Sequence, residues 1–178
     1  MAKIDSDESC LGNILQKKFY YQIPIYQRPY QWTKENCEKL LDDLFEDFED
    51  YEKNRENGES DYFCGSLVLI TISEDSKAKT YDIVDGQQRL STFILLAKVL
   101  LALYSDRLDS ENQEYLQESL ITKYGKKDRL NFNAVGFNSK KDFQYALTSF
   151  NDAPISSNKN NYLKNAIFLK NYLRKKRN

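Results

Sequence analysis

Apolar positions along this 178-residue chain change their period several times, and each change marks an element. Ser9 to Gln16 reads as a short helix, and the aromatic cluster after it, Lys18-Phe19-Tyr20-Tyr21-Gln22-Ile23, as a strand that Pro24 ends. Thr33 is a good N-cap, after which Cys37, Leu40, Leu41, Leu44, Phe45, Phe48 and Tyr51 recur at helical spacing through about Glu52. The opposite face is acidic, as a solvated helix face is. Lys53 to Asp61 is polar and reads as a loop. Tyr62 to Ile72 is a nearly continuous apolar and β-branched run, which predicts a central strand covered on both faces. Lys79 to Val84 alternates like a neighbouring strand, joined to it through a turn at Glu74 to Lys77 as a hairpin. Leu90, Phe93, Ile94, Ala97, Leu100, Leu101 and Tyr104 then define a buried helix. Helices follow at Glu111 to Ile121, Ser139 to Phe150 and Asn161 to Arg174, with a short strand at Arg129 to Phe132.

The elements assemble into an α+β fold, a small mixed sheet with packed helices over residues 1–105 and a helical extension over 106–178. The final helix keeps apolar Leu169, Tyr172 and Leu173 close to the end of the chain without a Gly or Pro stop signal, so the polypeptide is expected to continue into a further domain.

Composition narrows the chemistry. No histidine is present, which removes Ser-His-Asp and Cys-His nucleophiles and His-based metal motifs. Chemistry must therefore rest on carboxylates, Arg, Lys, Tyr, backbone amides and a bound metal ion. Cys10, Cys37 and Cys64 are odd in number and widely spaced, which fits buried structural thiols. With no leader-like N-terminus and no long apolar run, the expected compartment is the cytoplasm. A formal net charge of −1 lacks the footprint of a strong nucleic-acid binder. The Arg174-Lys175-Lys176-Arg177 run could touch phosphates, but cations are common in a last helical turn, so the solvated end of a helix is the favoured reading.

The junction Ile83-Val84-Asp85-Gly86-Gln87-Gln88-Arg89-Leu90-Ser91-Thr92 is the candidate site. A glycine turn opening a buried helix presents free backbone amides suited to an anion. Gly86 permits positive φ, Arg89 can grip two phosphate oxygens, and Ser91 and Thr92 offer hydroxyls in the first turn. A second cluster precedes it: Ile23-Pro24-Ile25-Tyr26-Gln27-Arg28-Pro29-Tyr30-Gln31-Trp32, a preset semi-extended loop.

Three stretches together, Ile23-Pro24-x-Tyr26-Gln27-Arg28-x-Tyr30-x-Trp32, Phe63-x-Gly65-Ser66 and Asp85-Gly86-Gln87-Gln88-Arg89-Leu90-Ser91-Thr92, resemble the signatures of the GmrSD-type restriction endonuclease N-terminal domain. The resemblance is close over about residues 10–105; Ser91 stands where the family usually has Thr, which keeps the hydroxyl. It implies a ParB/sulfiredoxin-like fold that binds a nucleoside triphosphate with Mg2+, hydrolyses it, and regulates a C-terminal His-metal nuclease acting on modified phage DNA. Without histidine, this chain does not contain that nuclease. Carried over, Asp85 would bind metal or orient attacking water, Gln87 or Gln88 would position the water, and Arg89 would neutralise developing charge. Gly86 and the amides after it would hold phosphate. Gln27 and Arg28 would reach the same pocket, and Tyr26, Tyr30 or Trp32 would stack on a base. Gly65 and Ser66 would either touch ligand or serve packing.

Two further readings remain open. A DNA-sensing module would use Arg28, Arg89 and the aromatic loop on a phosphate or flipped base. A nuclease built on Asp82, Asp85 and Arg89 is the weakest, because side chains alternate along a strand.

Overall fold

The computed structural model describes residues 5–16, 18–53, 62–74, 78–123, 127–133, 136–153 and 159–176. Residues 75–77 of the turn expected at 74–77, residues 54–61 of the loop expected at 53–61, Arg177 and the side chain of Tyr51 lie outside them.

The described residues form six helices and four strands in the order α1 (Leu11–Gln16), β1 (Phe19–Ile23), α2 (Lys34–Lys53), β2 (Val68–Glu74), β3 (Lys79–Asp85), α3 (Gln87–Tyr104), α4 (Ser110–Glu118), β4 (Leu130–Phe132), α5 (Gly136–Ser149) and α6 (Asn161–Lys176). The sheet runs β2-β3-β1-β4. β1 pairs parallel with both β3 and β4, and β2 pairs antiparallel with β3, so the fold is α+β around a mixed sheet. Period-two alternation puts Tyr21, Ile23, Ile83, Leu130 and Phe132 on one buried face. They share a core with Leu90, Phe93, Ile94 and Val99 of α3. That helix is enclosed on nearly every side through its first three turns, which explains its run of apolar residues without a polar stripe.

Thr33 stands where expected, its carbonyl accepting the first bond of α2 from Cys37 N (3.3 Å). Asn36 Oδ1 reaches back to accept from Thr33 N at 2.9 Å, the reciprocal half of a capping box.

The run at 62–72 departs from expectation. Residues 62–67 are irregular, and β2 is an edge strand with Val68, Ile70 and Ile72 exposed rather than a central strand covered on both faces. A continuous apolar run marks a strand without stating how many neighbours it has, and the positive φ of Gly65 (92°) breaks its first half. The region after residue 105 also enters the sheet, through β4 on β1, and α6 packs on both α2 and α3. Buried Arg129 fastens this junction: its guanidinium donates to Glu118 O (2.6 and 3.0 Å) and Phe19 O (2.5 Å). Among the described residues no helix is long and apolar enough to cross a membrane.

Candidate functional site

β3 delivers the chain into Gly86, whose φ of 92° turns it directly into α3. The first intrahelical bond is Leu90 N to Gly86 O at 3.0 Å, so the amides of Gln87, Gln88 and Arg89 precede the helical ladder. They form the positive end of an 18-residue helix. A Cβ on Gly86 would come within 2.9 Å of Leu67 Cδ1 and 3.1 Å of Ser66 O, so only glycine permits both the turn and the contact.

The 65–67 segment is thereby the second wall. Arg89 Nη2 donates to Ser66 O, and its guanidinium lies flat on Gly65, where a Cβ would meet Cζ at 2.8 Å. Gly65, with φ also at 92°, acts as the bed for a cation. The thiol of Cys64 is held up by burial and drawn down by the adjacent Arg89 charge, with burial the larger effect.

The third wall is the loop after β1, fastened by three glutamines. Gln27 Nε2 donates to Ile83 O (3.1 Å) and Val84 O (2.7 Å), pinning the loop to the end of β3. Gln87 Nε2 donates to Arg28 O at 2.8 Å. Gln88 Oε1 accepts from Gln31 N (2.8 Å) and Trp32 N (3.2 Å), and its Nε2 donates to Pro29 O (3.4 Å). These bonds fix the orientation of each carboxamide. Gln88 is fully committed to the loop, whereas Gln87 Oε1 is buried and has no partner among the described residues.

Between the walls lies a cavity of about 140 Å³ lined by Gln27, Arg28, Trp32, Asp85, Gly86, Gln87, Gln88 and Arg89. Its character is mixed: two guanidinium groups and the helix start favour an anion, while the Asp85 carboxylate can accept hydrogen bonds. A larger cavity of about 260 Å³ under α5 is mainly apolar, with Phe132, Phe143 and Leu147 in its walls, and contains no residue of the three sequence clusters.

The expected site residues therefore divide. Asp85, Gly86, Gln87, Gln88, Arg89, Gln27, Arg28 and Trp32 converge on one cavity, with Gly65 and Ser66 backing Arg89. Tyr26 is 63% exposed at the loop tip, outside the lining. Tyr30 is core: it stacks on Tyr162 with centroids 4.1 Å apart, so its ring is not free for a base. Ser91 and Thr92 are also buried, Thr92 Oγ1 bonding Gln88 O at 2.8 Å and Ser91 Oγ having no hydrogen-bond partner among the described residues. The acidic face of α2 makes no metal cluster, and among the described residues no group of three or more potential ligands could hold a metal by itself.

Sequence reasoning missed Leu67, which closes on Gly86, and Asn165, which donates to Trp32 O at 2.8 Å. Asn165 had a signal: it is the polar member of an otherwise apolar face containing Tyr162, Ala166, Leu169 and Leu173.

A family model described as "GmrSD restriction endonuclease, N-terminal domain" matches residues 11–177. No curated protein matches the chain.

Proposed function

The chain belongs to the family of GmrSD restriction endonuclease N-terminal domains, and from that premise we propose that it binds a nucleoside triphosphate, hydrolyses it, and so regulates DNA cleavage by a nuclease domain in the same or a partner chain. The observation that carries this is one cavity on which the first residues of α3 and two arginines converge, one of its lining residues, Gln87, having a buried Oε1 with no partner among the described residues. A buried acceptor left unsatisfied costs about 1–3 kcal/mol, so a ligand that brings a donor to it recovers that energy.

Size restricts what enters. Pockets that enclose a drug-sized ligand span roughly 300–1,000 Å³, against about 140 Å³ here. The cavity suits the phosphate end of a nucleotide, with sugar and base lying outward along Trp32, Arg28 and exposed Tyr26. The amides of Gln87 to Arg89 hold phosphate oxygens, and Arg89, anchored on Ser66 O, neutralises charge developing on the transferred group. Arg28 approaches from the opposite wall.

A magnesium ion fits this donor set, since Mg2+ is commonly held by one or two carboxylates with substrate phosphates and water. Asp85, exposed at the rim, would hold it, and the ion would supply charge neutralisation on the phosphates. For hydrolysis, a water attacks the terminal phosphorus and the bond to the bridging oxygen breaks, releasing diphosphate nucleotide and phosphate. With its carboxamide turned to the cavity, Gln87 accepts a hydrogen bond from that water through Oε1 and orients it, the water's proton passing to the released phosphate, while Gln88 braces the loop.

The test is isothermal titration of GTP, ATP and CTP, each with magnesium, into wild type and Arg89→Ala, followed by phosphate-release assays on Gln87→Leu. Saturable binding abolished by Arg89→Ala, with binding kept and turnover lost in Gln87→Leu, is expected. Failure of the wild type to bind any of the three overturns the proposal. DNA binding of steep salt dependence in that event identifies a DNA-sensing module instead.

A further inference from the structure

The Tyr30 hydroxyl is buried in a network whose proton directions can be assigned. Thr92 Oγ1 spends its one proton on Gln88 O (2.8 Å), so it must accept from Tyr30 Oη, 2.7 Å away. Tyr30 Oη in turn accepts from Asn165 Nδ2 at 2.9 Å. Asn165 Nδ2 also donates to Trp32 O at 2.8 Å, which fixes the amide orientation, because a flip would set oxygen against oxygen. The chain therefore runs one way, from Asn165 through Tyr30 and Thr92 to the carbonyl of Gln88.

That carbonyl belongs to the same peptide unit as the N–H of Arg89, a cavity-lining residue whose amide precedes the helical ladder. A hydrogen bond accepted by a peptide oxygen polarises the unit and makes its N–H a stronger donor. The same asparagine grips the other wall, since the Trp32 main chain is held on its amide side by Gln88 Oε1 and on its carbonyl side by Asn165. Asn165 is 1% exposed and makes no contact with the cavity itself. Tyr30 remains neutral throughout, because burial raises its pKa well above the ordinary phenol range.

We propose that Asn165 is a positioning residue for the phosphate site, setting the Gln88–Arg89 peptide and the Trp32 wall through this chain and thereby making α6 sense whether the site is filled. The inference rests on the phosphate-site reading above and adds its route to the rest of the molecule. α6 is packed against α2 as well as α3, so a change in the order of its first three turns reaches both sides of the fold.

The experiment compares wild type, Asn165→Leu, Tyr30→Phe and the double variant, using magnesium with GTP, ATP and CTP as probes. Tyr30→Phe keeps the ring stacked on Tyr162 and serves if the leucine variant fails to fold. Each single change is expected to weaken nucleotide binding roughly five- to thirtyfold, the scale of one or two neutral hydrogen bonds. The double variant should be little worse than the worse single one, because both interrupt one chain. Leu173→Val, a cavity-forming change two turns further along the same helix, should lower the melting temperature and leave affinity unchanged. Hydrogen exchange supplies the second readout: nucleotide should slow exchange at 87–92 and at 161–169 in wild type, and at 87–92 alone in Asn165→Leu. Wild-type binding with unchanged affinity in both single variants, fully additive losses, or equal α6 protection in wild type and Asn165→Leu overturns this inference and spares the site. Absence of wild-type binding overturns both.

Discussion

Replacing Gly65 by alanine separates two effects that a single substitution usually mixes. At φ 92° the alanine sits in the left-handed region, which costs an L-residue roughly 1–2 kcal/mol. The new Cβ also meets Arg89 Cζ at 2.8 Å, where ordinary contact starts at 3.4 Å, so the guanidinium must retreat by about 0.6 Å (3.4 − 2.8). The guanidinium is the far end of a flexible side chain and yields cheaply, so backbone strain sets the stability loss. For a protein of this size that loss corresponds to about 2–8 °C in Tm. On the proposed function, the displacement governs affinity instead, because it pulls Arg89 from Ser66 O and from the phosphate it is proposed to hold. A hydrogen bond to a charged group contributes about 1.5–3 kcal/mol, or roughly 10- to 150-fold in affinity.

The assay is a double-mutant cycle on Mg-nucleotide affinity, with wild type, Gly65→Ala, Arg89→Ala and the combination, each also melted. In the Arg89→Ala background the alanine at 65 should still lower Tm by a similar amount, since the strained φ remains. It should no longer lower affinity beyond the loss that Arg89→Ala already causes, which requires titration at high nucleotide concentration to measure the residual binding. An equal affinity loss from Gly65→Ala in both backgrounds refutes the idea that Gly65 acts as a bed for Arg89.

Three other perturbations follow from the geometry. Gln88→Leu removes the acceptor of Gln31 N and Trp32 N, and should destabilise by about 1–3 kcal/mol in a urea titration, with faster exchange confined at first to the 29–32 loop. Arg129→Leu strips three donated bonds from the carbonyls of Glu118 and Phe19; a loss of roughly 3 kcal/mol is expected, with Mg-nucleotide affinity of the folded fraction unchanged. Alkaline pH should unfold the protein through Cys37, whose burial raises its pKa from 9.0 to about 12. A raised folded-state pKa means that stability is fully present below the unfolded value and is lost as pH rises toward the folded one, at up to about 1.4 kcal/mol per pH unit. Urea melts of wild type and Cys37→Ala between pH 8 and about pH 11 check this, the variant losing stability less steeply above pH 9.

Much of this arrangement was legible because periodicity and turn chemistry speak locally. A β-like run, a glycine and then a buried helical pattern place Asp85 to Arg89 at a strand–turn–helix junction without knowledge of anything else. What could not be read was set by distant partners. Tyr26 and Tyr30 are alike in type and lie in one aperiodic loop, yet Tyr162 and Asn165 of the last helix draw only Tyr30 into the core. Gln87 and Gln88 are adjacent and identical, but successive helical residues point about 100° apart, so one has a buried carbonyl oxygen without a partner among the described residues and the other has its oxygen consumed by the loop. The apolar run of β2 was visible as a strand, whereas its place at the sheet edge depends on β1 choosing β3 and β4 as neighbours.

The first turn of α3 is unusual in turning its side chains inward. Helix starts commonly send polar side chains to water or back onto their own amides, but no side chain caps this turn. Gln87, Gln88, Ser91 and Thr92 are buried and directed to the loop after β1, to α6 or to the helix's own carbonyls. The amides at the helix start are thus left without a competing side-chain acceptor, inside a cavity partly screened from water. An anion there meets dipoles already oriented, in surroundings of lower dielectric than bulk, where each interaction is stronger than at an exposed helix end. The same design makes the motif structural and functional at once. Substitutions in it should be compared at matched fraction folded, because Gln88 and Thr92 bond the loop after β1 and the protein interior, whereas Arg89 and Gln87 are the residues proposed to act on the ligand.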